Sequence, residues 1–132
     1  METVYDTLSD INKDINAIKK PENWNNNFLK ILLGHSYLPE HKFLLPEGEP
    51  PFKANEMSHI QTKGIFWQEI KKFGTYTRKE VKTIQRERIF IQALEALDGQ
   101  SQQILLAVKE QKLDSIFPNI TYESLKNVGW FK

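Results

Sequence analysis

The opening stretch places Val4, Leu8, Ile11, Ile15 and Ile18 at alternating spacings of four and three, an apolar stripe that predicts a helix. Thr3 is suited to cap it, with Asp6 at the third helical position returning a hydrogen bond to the cap amide. Pro21 disfavours helical geometry in the residue before it, so the helix is expected to end near Lys19 and Lys20. A second helix is predicted from Pro21 to about Gly34, with Trp24, Phe28, Ile31 and Leu32 inward. From Tyr37 to Lys53 the periodicity fails. Pro39, Pro46, Pro50 and Pro51 stiffen a run that still carries Leu38, Phe43, Leu44, Leu45 and Phe52, which predicts an ordered loop packed on the helices.

Asn55 is suited to cap a helix running to about Phe73, with Ile60, Trp67 and Ile70 inward and Gly64 weakening its centre. After Gly74, the run Thr77-Arg78-Lys79-Glu80 reads as a capping box opening a helix through Leu97, with Val81, Ile84, Ile91, Leu94 and Leu97 inward. Asp98 and Gly99 end it. Gln100 to Lys112 forms the next helix, and Thr121 caps a last short one ending near Gly129, with Trp130 and Phe131 as an apolar tail. The pattern predicts an all-α, compact single domain over 1–132, a bundle of five or six helices crossed by one ordered proline-rich loop.

Composition supports a folded chain: of 132 residues, 39% are hydrophobic and 27% charged, with mean hydropathy −0.53. The absence of cysteine removes disulfides, thiolate metal sites and thiol nucleophiles. With neither a long apolar run nor a signal-like start, a cytoplasmic protein without membrane contact is expected. The net charge of +1 is unevenly spread. Between Lys63 and Arg88 stand eight basic and three acidic side chains, a net of +5, against −4 for the remainder.

Bond-making chemistry finds little support. No glycine-rich phosphate loop and no His-Glu-x-x-His pattern occurs, so neither an enzyme nor a bound cofactor or metal is expected. A metal site from His35, His41 and Glu40 or Glu47 is weighed below the ordinary reading of surface or capping histidines. Asp6, Asp10 and Asp14 share a helical face and read as a solvated stripe. Glu47 and Glu49 lie close in sequence, but two carboxylates without a cleft make no acid–base pair.

Three stretches carry a resemblance: Phe43 to Lys53 (FLLPEGEPPFK), Arg86 to Leu97 (RERIFIQALEAL) and Leu105 to Leu113 (LLAVKEQKL). Over about the C-terminal two-thirds, the chain resembles a small uncharacterised family of T-even-like, contractile-tailed phages, marine ones included. That family carries over no catalytic residue. The resemblance implies an infected bacterial cytoplasm and settings such as host takeover, phage DNA metabolism or virion assembly.

The preferred expectation is a non-enzymatic accessory protein that docks on a host or phage protein, with Phe43, Leu44, Phe52 and Lys53 of the loop at the interface. Two alternatives stand beside it. One is nucleic-acid binding through Lys71, Lys72, Arg78, Lys82 and Arg86, the cations interleaved with Phe66, Trp67, Phe73 and Tyr76. The other is a virion component. A homodimer closed on the Val4-to-Ile18 stripe is also open.

Overall fold

The structure, a computed structural model, describes residues 2–54 and 65–131. Among these residues the chain forms α1 (Val4–Lys13), α2 (Pro21–Trp24), α3 (Asn27–Tyr37), α4 (Ile65–Ile70), α5 (Thr83–Glu95), α6 (Gly99–Lys109) and α7 (Tyr122–Asn127). Short 3-10 turns intervene, and there is no strand among the described residues. The all-α expectation holds, with more and shorter helices than the pattern suggested.

Each discrepancy has a local cause. α1 starts where Thr3 accepts from the Asp6 amide, but it stops at Lys13, short of Lys19. Asp14 adopts extended geometry and accepts from the Asn16 amide, so it caps a 3-10 turn over Ile15–Lys19 instead of continuing the helix. It therefore leaves the face that Asp6 and Asp10 share. The second helix is likewise split: Asn26 accepts from the Phe28 and Leu29 amides and opens α3, which passes through Gly34 and ends before Pro39. The predicted capping box at Thr77 does not form. Thr77 closes a 3-10 turn, its hydroxyl donating to the Gly74 carbonyl, and α5 begins six residues later, at Thr83. Ile84, expected inward, is 68% exposed, and Arg86 occupies the inner face instead. The N-terminal part of the helix predicted from Asn55 lies outside the described residues.

α6 is central, packing against α1, α3 and α5. Its buried side chains Ile104, Leu105 and Val108 meet Leu8, Ile11, Leu29, Leu32, Leu33 and Leu94 in one apolar core. Val4, Leu8, Ile11 and Ile18 are buried in that core and Ile15 is partly buried against it, so the stripe weighed for a homodimer packs on the chain's own body. α6 ends in a Schellman motif: the Gln111 amide donates to Val108 O and the Lys112 amide to Ala107 O. Gln111 takes the left-handed position at φ 55°, where glycine is the usual occupant. Its side-chain amide donates to the carbonyls of His35 (3.1 Å) and Leu38 (2.7 Å), tying the ends of α6 and α3 together.

Candidate functional site: a proline-rich loop stapled over α5 and α6

A loop with three prolines, Pro46, Pro50 and Pro51, lacks three backbone donors, so its remaining polar groups need partners outside a regular ladder. Between Phe43 and Lys53 those partners come mainly from α5 and α6. The Leu44 amide donates to Tyr76 O at 2.7 Å, and its carbonyl accepts from Arg86 Nε at 2.8 Å. At the tip, Gly48 O accepts from Lys109 Nζ at 2.9 Å, and its amide donates to Glu110 Oε2 at 3.3 Å. Gly48 has φ +90°, a geometry an L side chain resists, so the tip turn favours glycine. At the far end the Lys53 amide donates to Glu95 Oε2 at 2.9 Å, and Lys53 O accepts from Gln102 Nε2 at 3.3 Å.

Two of these staples are buried cations. Arg86 is 7% exposed. Besides Leu44 O, its guanidinium donates to Arg78 O at 3.0 Å, to Val81 O, and to Thr83 Oγ1 at 3.0 Å. It thereby shapes the turn before α5, which explains why the helix starts late. Lys109, 3% exposed, pairs with Glu110 Oε1 at 3.0 Å. Partial burial pushes the Glu110 carboxyl up, but hydrogen bonds from Lys109 and the Gly48 amide, with the charges of Lys109 and Lys42, outweigh it and hold the group below the ordinary range.

The stapled loop leaves a cleft of about 280 Å³ against α5 and α6. Leu45, Pro46, Pro50 and Pro51 form one wall, and Phe90 and Ile91 the other. Glu47 and Glu49 of the loop, Glu87 of α5 and Lys109 of α6 are the charged residues that line it. Glu87 and Ile91 stand four apart on α5 and so share a face.

The expected interface residues separate. Phe43 is no surface anchor: at 3% exposure it fills the centre of an aromatic cluster, with ring centroids 5.1 Å from Phe73, 4.9 Å from Tyr76 and 5.4 Å from His35. Leu44, 37% exposed, does face solvent, Phe52 is half-buried against the core, and the Lys53 side chain is exposed. The residues of the basic set differ in their surroundings. Lys71 sits 5.4 Å above the Phe28 ring, Lys72 pairs with Glu69 at 3.3 Å, and Arg78 and Lys82 are exposed. Arg86 spends its guanidinium internally, so it is corrected from a nucleic-acid contact to a loop staple. Phe66, Trp67, Phe73 and Tyr76 are all buried and offer no stacking platform.

His35 and His41 do meet. The His35 Nδ1–H donates to the His41 carbonyl at 2.7 Å, with the rings edge to face at 5.6 Å. Burial, with the His41 charge adding to it, lowers the His35 pKa despite that hydrogen bond, so the ring is neutral at pH 7. Among the described residues no group of three or more histidines and carboxylates could hold a metal ion, and no helix is long and apolar enough to cross a membrane.

Sequence reasoning missed Glu87, Ile91, Lys109 and Glu110 as parts of this site. For Lys109 a signal existed, since it lies four residues after Leu105 and seven after Gln102, in phase with the inward face of α6. A family model described as a family of unknown function, DUF6433, matches residues 5–115. No curated protein and no solved structure matches the chain.

Proposed function

The chain belongs to DUF6433, a family of unknown function, and we propose from its own geometry that it is a non-enzymatic docking protein whose recognition element is the face made by the proline-rich loop, α5 and α6. One observation carries this: the loop backbone is held at Leu44, Gly48 and Lys53 by side chains from two helices, so its cleft exists before any partner arrives. A surface already ordered loses little conformational entropy on association. The anchors are Leu44, Pro50, Pro51 and Ile91. The resemblance to phage proteins suggests an infected bacterial cytoplasm as the setting, with a host or phage protein as partner.

Nucleic-acid binding has less support, because the aromatic side chains it needs are buried and Arg86 is engaged internally. The docking reading is tested by a photo-crosslinking residue placed at Pro51 or at the exposed Lys53 side chain, and separately at Lys13 on α1, in cells that make the protein. A discrete protein adduct from the loop positions, weakened when Ile91→Trp fills the cleft, is expected. No adduct, or the same adducts from Lys13, would refute the reading.

A further inference from the structure

Three glutamates, Glu47, Glu49 and Glu87, are among the residues lining the cleft, and none of their carboxylates makes an ion pair or hydrogen bond with the described residues. The one ammonium there, Lys109, is already matched by Glu110 and by the Gly48 carbonyl. The open charge is therefore negative, and an anionic occupant is disfavoured. The volume, about 280 Å³, lies at the lower edge of the range typical for small-molecule ligand sites, roughly 300–1,000 Å³, and suits a side chain and its flanking backbone better than a nucleotide. The walls are apolar and the charges sit with the loop tip and α5, an arrangement that matches a long aliphatic stem ending in a cation.

We propose that this cleft takes an arginine or lysine side chain from an extended basic segment of another protein, the stem lying along Pro46, Pro50 and Ile91 and the head reaching Glu47, Glu49 and Glu87. The proposal rests on the docking reading of this face and adds the chemistry of the partner. Arginine fits best, because its planar fork can engage two carboxylates at once.

The test is fluorescence anisotropy with labelled nonapeptides whose central residue is Arg, Lys, norleucine or Glu, flanked by small apolar residues. The Arg and Lys peptides are expected to bind, Arg more tightly, with affinity falling as salt is raised. Combined Glu47→Gln, Glu49→Gln and Glu87→Gln should weaken both at least tenfold while leaving the urea midpoint of unfolding unchanged. The proposal fails if the norleucine peptide binds as well as the Arg peptide. It also fails if the Gln variant binds Arg peptide like wild type, or if free spermidine competes as strongly as the peptides, which would make the cleft a small-amine site. Crosslinking separates the two layers. Loss of the cellular adduct in Ile91→Trp but not in the Gln variant overturns the cationic occupant and keeps the docking face, whereas an adduct unaffected by either overturns both.

Discussion

Removing Arg86 tests whether the loop is held by α5 or merely lies against it. Arg86→Met keeps the aliphatic stem and deletes a buried guanidinium that donates to the carbonyls of Leu44, Arg78 and Val81 and to Thr83 Oγ1. A hydrogen bond from a charged donor contributes about 1.5–3 kcal/mol, and a carbonyl left unpaired in the interior costs about 1–3 kcal/mol. Leu44 and Arg78 lie at the surface, where water can replace the lost donor, and half-buried Val81 is less accessible. Deleting the charge also returns its own desolvation cost. The balance is a loss of about 3 kcal/mol. With a urea m-value of about 1.5 kcal/mol/M, the midpoint should fall by about 2 M at constant m. Arg88→Met, two residues on at an exposed position, should cost less than about 0.5 kcal/mol. If Arg86→Met costs no more than Arg88→Met, the guanidinium is not what holds the loop, and the explanation for the late start of α5 falls with it.

Further outcomes follow from single contacts. Gln111→Gly removes the left-handed strain, worth about 1 kcal/mol, but also the bonds to His35 O and Leu38 O; thermal unfolding should show a net loss of stability, and a gain would mean those bonds contribute little. The Tyr76 hydroxyl is buried without a partner among the described residues, and burial drives its pKa up. Tyr76→Phe should therefore leave urea stability unchanged or raise it by about 1 kcal/mol, and a loss of that size would reveal a hidden partner. His35 has a folded pKa below its ordinary 6.5, so its contribution is full above that value and is lost as pH falls from there through the folded pKa. The urea midpoint of wild type should drop more between pH about 7.5 and about 5 than that of His35→Leu, and equal drops would contradict the assignment.

The sequence was most legible where a single local interaction decides the backbone. Thr3 capped α1, Thr121 capped α7 by a reciprocal pair with Ser124, and Gly129 ended it in a left-handed turn. It was misleading where two local options compete. Asp14 had both the stripe to continue and a side chain able to cap, and the cap won. The apparent capping box at Thr77 lost to a contact eight residues beyond its Arg78, because Arg86 draws the carbonyls of Arg78 and Val81 into a turn. The loop's order was readable from its prolines and apolar residues, but not which face those residues present. Phe43 went inward because Phe73, Tyr76 and Phe90, distant in sequence, build an aromatic pocket around it. The cleft depends on the approach of Glu87, Ile91 and Lys109 to the loop, a tertiary fact that no spacing along the chain encodes.

Everything functional here depends on the loop being anchored in the free chain, and amide hydrogen exchange reads this directly. The Leu44 and Lys53 amides, bonded to Tyr76 O and Glu95 Oε2, should be protected well beyond free-peptide rates, and Arg86→Met should strip that protection from Leu44 while leaving the middle of α6 slow. Exchange of both amides at free-peptide rates in the unmodified protein would contradict a preformed recognition surface.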